Sequence, residues 1–452
     1  MPGREPATPS LVRAINLRSI FDVVHAGGSV GAPRVVRETG LSRPTVAECL
    51  AQLLELGLIR RAGRGRGLPG PGAQLYAVDP RAGWVLSLDI GREWVRCGLS
   101  DLTGGWVGRT ASRTTAVTAA ALIAQLRQVA THLLTEAGIA FEEVDQVVVG
   151  TPGVIRPGEG HFWLAPNLPG WESVQVITDL REALVAPVTF ENDVNLAAVG
   201  EHTQGVARGL RDFVLLSVGT GVGMGVVLDG ELRRGAGGLA GEIAYLALDM
   251  DAPAAQQVAQ WGTGAFERMV SAAAIVGLAR DRGLVDARSA ADVFRLARAG
   301  TTAAQQVIDL VASRLAHAIA AVAAVLDPDL VVLGGGVGSG GGDLLLGPTG
   351  RVLARISPFS PRLAVSTLGS DAVLTGASAL GLRLTLDGVF ERAAGNGRFG
   401  EPAARGLGPG VAVAAQPPLD RGGSIAGQPA VVEGPPPAAI LAGPPGNPEA
   451  MP

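Results

Sequence analysis

A chain of 452 residues with 47% apolar content is long enough for roughly two or three domains of ~100–200 residues each and can bury a sizeable core. Its formal net charge of −4, taken as an average, argues against a histone-like binder of polyanions. Two cysteines, Cys49 and Cys97, cannot build a disulfide framework, and neither sits in a C-x-x-C pair or a Cys/His cluster that would hold zinc, so a reducing cytoplasm is expected.

The N-terminus, MPGREPATPSL, has no apolar h-region. The longest apolar helix candidate is broken by His317 and then by Asp327-Pro328, so neither export nor a membrane span is expected. The charge is unevenly spread. Through residue 82, eleven Arg face six acids, whereas the remainder holds 26 Arg against 35 acids, so a basic head is joined to an acidic body.

In the head, Leu11 to His25 carries Ile15, Ile20, Val23 and Val24 at helical spacing and stops at Gly27-Gly28. A short helix from Arg34 to Thr39 ends at Gly40. Ser42 is a good N-cap for a third helix, with Pro44 in its first turn and Val46, Leu50, Leu53 and Leu54 on one face. A strand starts at Leu58-Ile59, and after an Arg/Gly-rich stretch a second runs from about Gln74 to Val78. Three helices and a two-stranded ribbon predict a winged helix-turn-helix over residues 1–82. Ser42, Arg43, Thr45 and Glu48 are its candidate DNA contacts on the third helix, the last three to base edges, and Arg60, Arg61, Arg64 and Arg66 on the wing meet phosphates or the minor groove. Such trihelical units also serve as protein–protein modules, but a basic wing beside a polar helix N-terminus favours DNA.

From Gly83 the pattern becomes β-rich. The strand Trp84 to Gly91 ends in Asp89-Ile90-Gly91, two further strand-like runs reach about Arg113, and a helix follows through Gly138. The strand, glycine turn and strand order recurs from Phe213 through Gly219-Thr220-Gly221-Val222-Gly223 to a turn at Asp229-Gly230, which suggests a duplication and two α/β lobes facing a cleft. Glycine turns let backbone N–H groups approach an anion, so Gly219 to Gly223 reads as a phosphate loop or as a plain hairpin. Asp193, after Phe190-Glu191-Asn192 at a strand end, reads as the general base of phosphoryl transfer to an alcohol or as a helix cap. Gly334-Gly335-Gly336 after Leu330 to Leu333 leaves room for a flat ring or makes a tight turn. Periodicity stops near Asp387, and the last 65 residues hold 12 of the 30 prolines, so residues 388–452 are expected to be a disordered tail.

The ordered segments DIG, VVVGTPGVI, APNLPGW, FENDVNLAA, LSVGTGVGMGVVLDGEL, GLAGEI and LVVLGGGV together resemble the ROK family of bacterial repressors, open reading frames and sugar kinases. The resemblance covers roughly residues 11 to 387, and the head with GLSRPTV and LELGLIRR is similar to the regulator branch, which includes xylose and N-acetylglucosamine repressors. It implies an actin-like, hexokinase-like (ASKHA) two-lobed α/β body over 83–387. Asn192 matches a sugar-contacting Asn, Asp193 the catalytic Asp, and Glu242 and Glu267 sugar-hydroxyl ligands, while Gly153 and Asn167 lie in segments lining the sugar pocket. Gly219, Thr220, Gly221 and Gly223 match the second phosphate loop, and Gly334 to Gly336 the adenosine segment.

Two departures separate this chain from the family's kinases. Their first phosphate loop reads Asp-x-Gly-Gly-Thr, whereas Arg92 and Glu93 follow Asp89-Ile90-Gly91 here. A side chain then stands where the triphosphate would meet backbone, and a carboxylate near phosphate costs about 1 kcal/mol or more. Kinase members also carry a zinc-ligating His three residues after the Glu, leading into a Cys-rich segment. Tyr245 stands there instead, free to bond a hydroxyl or to fill space, and residues 246–266 contain no Cys or His. The resemblance therefore implies a sugar-responsive DNA-binding repressor without cofactor or metal. Its partners would be a sugar or amino sugar and, as a homodimer or higher oligomer, a pseudo-palindromic operator. An ATP-dependent sugar kinase with a fused DNA-binding head is the alternative.

Overall fold

The computed structural model describes residues 9–65, 73–155, 161–163, 170–248 and 263–393. They fall into two compact units. The first holds those within 1–211, 224–241 and 367–423, and the second those within 212–223, 242–366 and 424–452.

The first unit begins with the basic head. Helix α1, Pro9–Gly27, turns Leu17, Ile20, Phe21 and Val24 inward, the i, i+3, i+4, i+7 stripe of a half-buried helix. Ile15, expected on that face, lies off the stripe and is exposed. A two-residue strand β1, Val30–Gly31, leads into α2, Ala32–Thr39, and α3, Arg43–Glu55. The Ser42 side chain accepts the Thr45 N–H, so the expected cap closes the first turn of α3. Strands β2, Ile59–Arg64, and β3, Gln74–Val78, form the wing, and β1 pairs with β3 to make three strands where two were expected.

Five strands follow, β4 (Trp84–Ile90), β5 (Trp94–Asp101), β6 (Trp106–Arg113), β7 (Gln146–Thr151) and, after the two-residue β8 (Val154–Ile155) and β9 (Phe162–Trp163), β10 (Val188–Asn192). Their order is β10-β7-β4-β5-β6, with β7 parallel to both neighbours. Helices α4, Ala119–Ala137, and α5, Val174–Leu184, supply Leu126, Leu133 and Leu180 to the core on this sheet, where Trp171 stacks on Phe162. Helix α6, Asp193–Thr203, starts where β10 ends.

The second unit carries parallel strands β11 (Phe213–Val218), β14 (Leu330–Gly334) and β15 (Arg362–Val365). In the first unit, part of β12 (Val222–Leu228) pairs with β13 (Glu231–Leu232) across the expected turn, where Asp229 and Gly230 both adopt positive φ. Helices α7 (Glu267–Val270), α8 (Ala272–Asp281), α9 (Ala290–Arg298), α10 (Thr302–Leu326), α11 (Gly335–Gly340) and α12 (Gly342–Ile356) complete the second unit. His317 does not interrupt α10 as expected. It lies on the exposed side and bonds the Ser313 carbonyl, and the helix ends only at Asp327 in a left-handed conformation before Pro328. By length and apolarity α10 and the segment Gly369–Phe390 could each cross a membrane, yet half or more of each is packed inside the protein.

The last helix, α13 (Ala372–Ala393), returns to the first unit. It runs past Asp387, where the body was expected to end, because Leu386 and Phe390 join Leu17, Phe21 and Leu53 in the head's core. The rest of the expected tail, 394–452, lies outside the described residues.

Candidate ligand-binding and DNA-binding sites

On the head, Arg43 is exposed at the start of α3, and Glu48 is held by Arg13 of α1 at 3.3 Å with both side chains largely exposed. Ser42 and Thr45 bond each other through their hydroxyls at 2.8 Å, so both are engaged in the helix cap. In the wing, Arg61 lies opposite Tyr76 and Arg64 opposite Gln74, one more residue on β2 than on β3. Gly63, at φ 95°, absorbs the extra residue, and Gln74 pins it by donating to the Gly63 carbonyl at 2.8 Å. This bulge puts Arg61 and Arg64 on one face and leaves Arg60 on the other. All three are exposed, and Arg66 lies outside the described residues.

In the first unit, the junction of β10 and α6 gathers a polar group. Asn192, rather than Asp193, caps α6: its Oδ1 accepts the Val194 and Asn195 N–H groups, and its Nδ2 donates to the Gly153 carbonyl at 3.1 Å. Asp193 is the first helical residue, with Oδ1 accepting the Val194 N–H at 2.9 Å. Glu191 stands in the same motif, where sequence alone gives it no role. It is buried and accepts from Asn195 Nδ2 at 2.9 Å and from Arg234 Nε at 2.6 Å. Asn167 lies outside the described residues.

The second unit brings together Glu242, Tyr245 and Glu267. Burial raises the carboxyl pKa of Glu242, and the charge of Glu267 raises it further. Burial likewise raises that of Glu267, against a bond from the Val222 N–H at 3.1 Å and the charge of Arg268. Tyr245 is raised by burial and by both carboxylates. Glu267 thus occupies an amide of the glycine turn that a phosphate would otherwise use. The turn is closed by Gly219 N–H donating to the Gly221 carbonyl, with Thr220 exposed and Gly223 already in β12. Gly334, Gly335 and Gly336 lie against it. A Cβ on Gly335, at φ 75°, would stand 2.5 Å from the Val218 carbonyl oxygen, so only glycine permits this approach.

The first phosphate-loop position is closed by the chain's own residues. In the antiparallel pair β4–β5, Asp89 is directly opposite Arg96, which places both side chains on one face, and Arg96 Nη1 donates to Asp89 Oδ2 at 3.1 Å. Burial pushes the Asp89 carboxyl up to about 6 despite this pairing. Gly91 to Trp94 makes a tight turn with Arg92 and Glu93 exposed at its tip. An aspartate already bound to arginine does not fit the task of positioning a nucleotide's metal or phosphates. Nor do Tyr245 and a segment without thiol or imidazole fit a zinc site. Among the described residues no group of three or more His, Cys, Asp or Glu could hold a metal ion.

The sequence profile of the ROK family matches residues 85–383, well over half of the chain. The protein belongs to the ROK family. Ahead of the ROK region, the IclR helix-turn-helix domain profile matches residues 19–63, so a helix-turn-helix head precedes a hexokinase-like ROK body. Among relatives, the glucokinase of Halalkalibacterium halodurans is 33% identical over 247 residues, 50% of this chain and 73% of that enzyme. The xylose repressor of Caldicellulosiruptor bescii is 24% identical over 389 residues, 82% of this chain and 96% of the repressor, an alignment that extends beyond the ROK region. The crystal structure of a ROK family transcriptional regulator, a homologue of the E. coli MLC protein, shares the fold with a TM-score of 0.71 at 20% identity, over 85% of this chain and 100% of that one.

Proposed function

We propose that this ROK protein is a sugar-responsive, DNA-binding transcriptional repressor acting in the cytoplasm. The observation that carries the reading is a helix-turn-helix head joined to a ROK body whose Asp89 is bound by Arg96. The division it implies is a head over residues 1–82 and a ROK body from 83. Alignment with a xylose repressor over most of both chains supports it.

The effector is a sugar or amino sugar, for which the first unit offers Gly153, Asn167, Asn192 and Asp193 and the second, taken by itself, offers Glu242, Tyr245 and Glu267. Vicinal hydroxyls donate to carboxylates and accept from amides, and the half-buried Glu242 and Glu267, each raised in pKa, gain from donors that stabilise their charge. No cofactor is required for this. Arg43, Thr45 and Glu48 read base edges, with Ser42 ordering the helix N-terminus, and the wing arginines meet phosphates. A homodimer presenting two such heads recognises a pseudo-palindromic operator.

The test is selection of bound fragments from genomic DNA by the purified full chain, followed by titration with D-xylose, D-glucose and N-acetyl-D-glucosamine. One of these should release the DNA, and Asn192→Ala should abolish that response while sparing DNA affinity. Phosphorylation of one of them by ATP, abolished by Asp193→Asn, would replace this reading with that of a sugar kinase.

A further inference from the structure

Two separate sets of contacts in the first unit run from the Asn192–Asp193 junction to the DNA-binding head, and both pass through α13. The first is backbone packing of α6 on α13. A Cβ on Gly200 of α6 would stand 2.3 Å from the Ala372 carbonyl oxygen, and one on Gly376 of α13 would stand 1.8 Å from that of Leu196. With no side chain between them, the two helices shift together or not at all.

The second is a chain of alternating charges. Glu191, next to Asn192, is paired with Arg234 at 2.6 Å. Arg383 of α13 feels Asp387, Arg234, Glu231 and Arg18, all by electrostatics, and its own burial, the strongest influence, disfavours its charge. One turn further along, Asp387 takes Arg18 of α1 at 2.6 Å, and the Arg18 guanidinium lies over the Phe390 ring. Two charged groups in this set each leave a buried atom without a hydrogen bond. Arg383 Nε and Glu231 Oε2 are both buried without a hydrogen-bond partner, although their charges are opposite and they act on each other. A buried polar atom left unpaired is costly, so a guanidinium that interacts with two carboxylates and is hydrogen-bonded to neither is poised between two arrangements.

We propose that α13 couples the Asn192 end of α6 to α1 of the winged head, with Arg383 as the positioning residue, shared between Glu231 on the body side and Asp387 on the head side. A ligand that engages Asn192 and Asp193 alters the Glu191–Arg234 pair, which redistributes Arg383 between its two carboxylates. Asp387 in turn holds or releases Arg18, which alters how firmly the head is seated. The inference rests on the regulatory reading for its purpose, but its contacts do not depend on which sugar or operator is used.

Hydrogen exchange on the full-length protein tests it with neither ligand present. Glu191→Gln acts at the α6 end, and amides of residues 17–24 in α1 should then exchange faster by about 5-fold or more, the lower end of ordinary coupling between sites. With Arg383→Met already in place, Glu191→Gln should leave α1 unchanged, and Arg383→Lys, which keeps the charge, should restore part of the response. If Arg383→Met does not fold, Asp387→Asn, a partly exposed change, should cut the response in the same way. Exchange in α1 that ignores Glu191→Gln, or that responds undiminished without Arg383 or Asp387, overturns the proposal. Failure to bind DNA or any sugar, measured by separate titrations, would overturn the regulatory reading and not the coupling seen by exchange.

Discussion

Arg18 in the first helix of the head donates to Asp387 in the last helix at 2.6 Å, across 369 residues of sequence. The same arginine lies over Phe390, and Phe390 meets Phe21 edge-on at a centroid distance of 5.9 Å. The two kinds of contact differ in worth. Both members of the ion pair are partly exposed, so Arg18→Ala should cost about 1–2 kcal/mol, including the lost cation–π contact. Phe390 is buried, and Phe390→Ala should cost about 3–5 kcal/mol. Urea unfolding followed by near-ultraviolet absorbance should rank them in that order, and an Arg18→Ala effect equal to or larger than that of Phe390→Ala would refute the assignment of the apolar contact as the main anchor.

The backbone approach between α6 and α13 makes a sharper prediction. Gly376→Ala places a methyl group 1.8 Å from a carbonyl oxygen that belongs to a packed helix, so the helices must separate, at about 3 kcal/mol. Gly209, by contrast, has positive φ, 80°, and an added Cβ there meets nothing within 4 Å. Gly209→Ala should therefore cost only the conformational strain, about 1 kcal/mol. Thermal unfolding of the two variants separates close packing from backbone strain.

The head and the sheet strands were legible because their signals are local. Ser42 caps the helix it precedes, and Val46, Leu50 and Leu53 repeat at helical spacing and are buried. Asn192 and Asp193 were legible as a motif, but which of them caps α6 depends on side-chain direction at one turn, and either reading was open from sequence. Arg96 and Arg234 went unnoticed for a different reason. Each neutralises a buried carboxylate through strand register or a hairpin that returns from residues far along the chain, and one arginine among 37 basic residues carries no local mark of its partner. The extension of α13 past Asp387 was missed because its apolar residues are paid for by a distant helix, α1, and not by a periodic stripe that continues.

The Asp89–Arg96 pair has a pH signature. The folded pKa, about 6, lies above the ordinary 3.8 because burial outweighs the arginine. Below about pH 4 the carboxyl is protonated in both folded and unfolded chains and contributes no pH dependence. Between about 4 and 6 the folded state holds the extra proton, so stability falls as pH rises through this window, by on the order of 3 kcal/mol, and the loss is complete above it. Asp89→Asn should lack this fall. Unfolding free energies of both proteins should lie close together near pH 4, where asparagine mimics the protonated carboxyl, and the wild type should fall below Asp89→Asn as pH rises through the window, whereas parallel curves would show that Asp89 does not titrate there.

The wing offers a test in which geometry, and not only charge, decides. The bulge at Gly63 sets Arg61 and Arg64 on one face of β2, beside Tyr76 and Gln74, with Arg60 directed to the other. If that shared face meets the DNA backbone, Arg61→Ala and Arg64→Ala should each flatten the dependence of log K on log salt by about 1 and weaken binding to all sequences alike, while Arg60→Ala leaves the slope near its original value. Deleting Gly63 removes the bulge but leaves Arg64 two positions after Arg61, still opposite Gln74 and on the same face, and should keep the salt slope near its original value. Equal slopes for all three arginine variants would mean that the wing attracts DNA by its overall charge and that strand register plays no part.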